Sequence, residues 1–60
     1  MATHYMTAEE CEAMTGVPAS TFRFWAARGE GPPSTKLGRR RLWPREKFEQ
    51  WLATREAASA

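Results

Sequence analysis

Apolar and polar positions change their spacing several times along this chain. Ala8, Cys11 and Met14 recur at helical spacing with Glu9, Glu10 and Glu12 between them, which predicts a short amphipathic helix with one apolar face. Thr7 precedes that run and Glu10 follows three residues later, the reciprocal pattern of a capping box. Gly16 supplies the stop and Val17 an apolar plug for the turn. A second helical pattern runs from about Pro18 to Arg28, with Phe22, Trp25 and Ala26 as its inward stripe and Ala19, Ser20, Arg23, Phe24 and Ala27 as its outward one. Pro18 is tolerated in a first turn, where its missing N–H would be unpaired anyway. Gly29 ends this helix, and Glu30-Gly31-Pro32-Pro33 reads as a rigid extended connection.

Past residue 33 the period shortens. Ser34 to Leu37 and Arg40 to Trp43 fit two short antiparallel strands around Gly38-Arg39. A third helix is expected from Pro44 to about Thr54, with Phe48, Trp51 and Leu52 as its apolar stripe. Residues 1–6 are expected to be a tail carrying an exposed His4, and residues 55–60 to fray. The elements add up to one domain over residues 1–60, mainly α with a small β-hairpin. Two helices about a glycine turn have the shape of a helix-turn-helix, and a hairpin behind them makes that a winged helix-turn-helix of about three helices.

Length and composition narrow the class. A chain of 60 residues buries only about 60% of its unfolded surface, so its core must be efficient. Phe22, Trp25, Phe48 and Trp51 fit that core at helical spacing better than a base-stacking platform, and Trp43 is expected to cover it. A single Cys rules out an intrachain disulfide framework, and with no signal-peptide pattern it points to a reducing cytoplasm. Cys11 reads as a small core residue. No apolar run is long enough for a membrane span. The single His and single Cys have no evident partners, and the chain carries no glycine-rich phosphate loop or metal-ligand spacing. No catalytic residue, metal site or cofactor is therefore expected, nor enzymatic activity.

Charge adds a direction. Residues 1–30 hold two arginines against four glutamates, a balance of −2, and residues 31–60 hold seven Lys or Arg against three glutamates, a balance of +4. Within 31–45 there are five cations and no acid, the electrostatic footprint of phosphate binding. A solvated surface loop is the bland alternative, outweighed by its place behind a helix-turn-helix. In that arrangement the second helix enters the major groove. Ser20 and Arg23 share its exposed face, Arg suited to guanine O6 and N7 and Ser to base or phosphate. Phe24 beside them either meets thymine methyls or sugar, or packs on the hairpin or the N-terminal tail. Lys36, Arg39, Arg40 and Arg41 can follow a phosphate backbone or enter a minor groove. Strand alternation sends Arg40 and Arg41 to opposite faces, so at least one of them can be a plain surface charge.

The pattern Met6-Thr7-Ala8-Glu9-Glu10, Gly16-Val17, Ser20-Thr21, Phe22, Trp25, Gly29, Leu37-Gly38-Arg39-Arg40-Arg41 and Phe48-Glu49-Gln50-Trp51-Leu52 closely resembles phage-type excisionases (recombination directionality factors). These are small winged helices related to the MerR-like DNA-binding head, and the resemblance covers residues 5–53. Pro18 departs from the family's usual Ser N-cap, and Phe24 stands where a polar residue is common, so neither a phosphate contact at 18 nor a base preference carries over. The resemblance implies a second helix reading the major groove and a wing reaching the minor groove. It further implies double-stranded DNA, a cognate integrase and neighbouring copies of the chain on DNA as partners, DNA bending and a place in the host cell cytoplasm at the nucleoid. A small transcriptional regulator of the same fold is the alternative, and a protein-interaction module using the Arg cluster is a third reading. No long helix is expected after residue 55, so the coiled-coil dimerisation of MerR-type regulators is not expected either.

Overall fold

The computed structural model describes residues 4–59. Six elements follow in order: β1 (Tyr5–Met6), α1 (Ala8–Thr15), α2 (Ala19–Ala27), β2 (Thr35–Leu37), β3 (Arg40–Pro44) and α3 (Arg45–Ser59). The capping box forms as its residues dictate. The Thr7 side chain accepts from the Glu10 N–H at 3.1 Å, and the Glu10 carboxylate accepts from the Thr7 N–H at 2.9 Å. Gly16 closes α1 in a left-handed conformation and donates its N–H to the Glu12 carbonyl at 2.7 Å. Pro18 provides no side-chain cap for α2. The Glu12 carboxylate does so from α1, accepting the Ala19 N–H at 2.9 Å, and its charge suits the positive end of the helix.

Two faces differ from the expected stripes. Met14 is 44% exposed because successive steps of three residues rotate backwards around a helix, leaving it about 120° from Ala8. The position that stays in register is Thr15, half-buried, with its hydroxyl donating to the Cys11 carbonyl at 2.8 Å. Ala19, expected to face outward, is buried, since its N–H is tied to Glu12 and α1 covers the start of α2.

The hairpin has the expected turn at Gly38-Arg39, and β2 pairs antiparallel with β3 in the register Thr35↔Leu42, Lys36↔Arg41, Leu37↔Arg40. A third strand was not expected. Tyr5–Met6, assigned to a tail, pair antiparallel with β3 as Tyr5↔Pro44 and Met6↔Trp43, giving the order β1-β3-β2. Pro44 ends β3 rather than opening the third helix, because the ladder with β1 runs past it: Pro44 pairs with Tyr5, and the Arg45 N–H donates to the His4 carbonyl at 2.8 Å. His4 is exposed as expected, and residues 1–3 of the expected tail lie outside the described residues. At the other end α3 continues to Ser59 rather than fraying after Thr54. Residues 55–58 are Arg-Glu-Ala-Ala, all strong helix formers or good ones, and the Ser59 hydroxyl donates back to the Arg55 carbonyl at 2.9 Å.

Met6, Ala8, Cys11, Ala19, Phe22, Trp43 and Phe48 form the core, with Val17, Trp25 and Ala26 packed against it. Phe22 is its hub: its ring lies 5.5 Å from Trp25, 6.2 Å from Trp43 and 5.8 Å from Phe48. One α2 side chain thus fixes α2 against both β3 and α3. Trp43 is fully buried rather than a cover, and its indole N–H finds no acceptor among the described residues. Three helices with a hairpin of β2 and β3 beside the second make this a winged helix-turn-helix.

Candidate nucleic-acid interface

With Phe22 turned into the core, helical geometry turns the residues on either side of it outward. Ser20, Arg23, Phe24 and Ala27 are all exposed along α2. Arg23 faces the wing, the hairpin of β2 and β3, across an open groove of about 480 Å³ whose other wall carries Lys36, Arg39, Arg40 and Arg41. Five cations spread over eighteen positions, Arg23 to Arg41, are thereby gathered around one groove. Its floor reaches the first turn of α1 at Thr7, Ala8 and Glu9. Ser20 and Phe24 do not line it and occupy the adjoining face of α2.

Lys36 and Arg41 are directly paired across the hairpin. Like charges in that position repel in the free protein. Among the described residues none of Lys36, Arg39, Arg40 or Arg41 forms an ion pair. The wing therefore presents positive charge without an ion-pair partner among the described residues. Arg40 is exposed and Arg41 half-buried; both border the groove, and Arg41 also borders the crevice over Pro32-Pro33-Ser34.

Phe24 is 56% exposed; residues 1–3 of the N-terminal tail, one of its expected packing partners, lie outside the described residues. The Arg28 guanidinium lies 5.3 Å from its ring centroid and at 3.4 Å from Glu30. Arg23 is not free either. Its guanidinium donates to the carboxylate of Glu9, and that hydrogen bond, foremost, holds the Glu9 carboxyl below the usual carboxylate range. Glu9 is absent from the residues singled out in the sequence. In sequence it is one of three acids on a helix face, and only the packing of α1 on α2 brings it to Arg23. No local signal marks it.

The model of the Helix-turn-helix domain family matches residues 5–56. The chain belongs to this family. Helix-turn-helix domains place their second helix in the major groove of DNA. DNA binding is thus the chain's function at the level the family fixes. No curated protein and no solved structure gave a significant match. Among the described residues no helix is long and apolar enough to cross a membrane, and no cluster of His, Cys, Asp or Glu is arranged to hold a metal ion.

Proposed function

We propose that this helix-turn-helix domain is an architectural DNA-binding protein of the excisionase type, biasing an integrase toward excision, and that its activity is binding and bending rather than catalysis. The observation that supports this most directly is the shared groove: Arg23 on the reading helix and Lys36, Arg39, Arg40 and Arg41 on the wing flank one opening. A duplex laid along it can offer its major groove to α2 and a neighbouring phosphate run or minor groove to the wing. In this reading Arg23 donates to a guanine edge, Ser20 bonds a base or phosphate, and Phe24 meets a thymine methyl. Lys36, Arg39, Arg40 and Arg41 neutralise phosphates, with Arg39 at the tip best placed to enter a minor groove.

One reading helix contacts too few base pairs to select a unique genomic site. Further selectivity comes from neighbouring copies on phased sites or from an integrase already on the DNA, where linkage raises affinity and bends accumulate. The test is footprinting over DNA flanking the gene, followed by gel shifts on a fragment with the binding region moved along it. Adjacent protected sites, stepwise cooperative shifts and position-dependent mobility are expected, together with stimulated excision when the integrase is added. A single non-cooperative, unbent complex at a promoter would instead identify a small transcriptional regulator, which uses the same surfaces.

A further inference from the structure

We infer that Glu9 is a specificity-determining residue of the DNA-binding surface: it holds the Arg23 guanidinium in position for one base pair and opposes phosphate binding at the same spot. The inference rests on the assignment of Arg23 as a base reader. Glu9 and Arg23 lie on different helices, fourteen residues apart, joined by a guanidinium–carboxylate hydrogen bond. Both side chains are more than half exposed, at 66% and 54%. Exposed ion pairs contribute little to stability, so the fold itself gains little from this one. Nor is Glu9 needed to start α1, because the capping box uses Glu10.

Its surroundings give it another role. Among the described residues Glu9 is the one acid lining the groove, beside five cations (Arg23, Lys36, Arg39, Arg40 and Arg41) and the uncharged Thr7, Ala8 and Leu42. A carboxylate there is unfavourable for a site that merely attracts phosphate. Its use becomes clear from the shape of arginine. A guanidinium carries five N–H donors in a planar fork, and Glu9 engages the one terminal nitrogen Nη2. The remaining donors stay available for the paired O6 and N7 acceptors of guanine. A long side chain that would otherwise sample many rotamers is held in one, which lowers the ordering cost of binding. Meanwhile the negative charge repels a phosphate drawn toward Arg23 on a non-cognate duplex. Both effects widen the gap between specific and non-specific binding. The hydrogen bond from Arg23, foremost, holds the carboxyl below the usual carboxylate range, so its charge is present at neutral pH.

Three variants of the full chain, Glu9→Gln, Glu9→Asp and Arg23→Ala, test this by fluorescence anisotropy. The probes are a duplex selected by the wild-type chain from a randomised library and a shuffled duplex of the same composition. Thermal melts by circular dichroism confirm folding; both changes at Glu9 fall on an exposed side chain, and Glu9→Gln is isosteric. Glu9→Gln is expected to bind the shuffled duplex several-fold more tightly and to lower the specificity ratio by about tenfold. Glu9→Asp keeps the charge but withdraws it from Arg23, so it should lower the ratio with little gain on the shuffled duplex. If Glu9→Gln strengthens both duplexes equally and leaves the ratio intact, the inference is overturned, because Glu9 then acts as a plain counter-charge. Arg23→Ala separates the two levels. A ratio that falls with Arg23→Ala but not with Glu9→Gln overturns the role of Glu9 alone, and a ratio that survives Arg23→Ala overturns the assignment of Arg23 and with it this inference.

Discussion

Gly31→Ala is expected to destabilise the domain well beyond the cost of its backbone conformation. Gly31 lies on the connection from α2 to the wing at φ 73°, a left-handed conformation that costs a residue with a Cβ about 1–2 kcal/mol. An added methyl would also lie 2.9 Å from Cε3, 3.0 Å from Cβ and 3.2 Å from Cδ2 of Trp25. The indole has little room to retreat, being packed edge-on to Phe22 and 6.1 Å from the Trp51 ring. The near-backbone Cβ cannot swing aside at all, and the Glu30 N–H bonded to the Trp25 carbonyl at 2.7 Å pins the loop against the helix. Overpacking of this kind adds about 1–3 kcal/mol, for a total of about 2–5 kcal/mol. A chain of this size has about 3–9 kcal/mol of stability. Gly16→Ala is the internal control: φ is 79°, yet nothing stands within 4 Å of its added methyl. Both substitutions alter the unfolded chain alike, so the difference between them isolates the clash with Trp25. At about 4–8 °C per kcal/mol for a domain this small, melts by far-UV circular dichroism will resolve it. Adding Trp25→Leu to Gly31→Ala should return part of the loss as a favourable coupling. Equal losses for the two glycine variants, or no coupling with Trp25→Leu, would refute the reasoning.

Other expectations follow from the same geometry. Arg39→Ala with Arg40→Ala should weaken binding to every duplex and make the salt dependence shallower by roughly one unit per lost phosphate contact; an unchanged slope removes the wing from the interface. Phe22→Ala should cost about 3–5 kcal/mol and leave the chain largely unfolded, whereas Trp25→Ala should cost less because Trp25 is only half-buried; urea titrations showing the reverse order would misplace the hub of the core. Burial, then the charge of Glu10, pushes the Cys11 thiol up to about 11 from 9.0. A raised value in the folded state means that this stabilisation is complete below pH 9.0 and is lost as pH rises toward about 11. Native protein should therefore resist thiol reagents at mildly alkaline pH, and Cys11→Ala should remove the corresponding fall in melting temperature.

Local chemistry was legible in the chain, and long-range pairing was not. Thr7 and Glu10 are three residues apart and satisfy each other's backbone, so the start of α1 can be read without knowing anything else. The same holds for the stop at Gly16 and the turn at Gly38-Arg39, where the deciding interaction closes within a few residues. β1 is different. Two residues cannot announce a strand by alternation, and Tyr5–Met6 are extended because β3, almost forty positions away, offers them a ladder. That pairing also determines the fate of Pro44, a residue compatible with either a helix start or a strand end. The inward stripe of α2 was visible through Phe22, Trp25 and Ala26. The burial of Ala19 was not, because it depends on a carboxylate from the previous helix. At the surface, Lys36, Arg39, Arg40 and Arg41 stood out as a run of charge without an acid nearby in sequence. Glu9 belongs to their groove all the same, and it arrives there only by folding.

The division of labour between core and wing bears on how this fold meets DNA. Every large, fully buried side chain belongs to α1, α2, β3 or α3: Cys11, Phe22, Trp43 and Phe48. No residue of β2 is buried, and its Lys36 faces Arg41 at close range. The outer strand of the wing is thus held by its ladder to β3 and opposed by its own charge. Segments with little apolar burial and exposed hydrogen bonds open most readily. The repulsion that weakens the wing in isolation is the same charge that a phosphate backbone would neutralise, so a bound duplex would stabilise the hairpin as well as occupy it. The reading helix needs no such help. Phe22 locks α2 to the core from its inner face, and its outer face is left to Ser20, Arg23 and Phe24. A firmly packed α2 beside a wing whose cations form no ion pair among the described residues follows from where this small chain can place its few large apolar side chains.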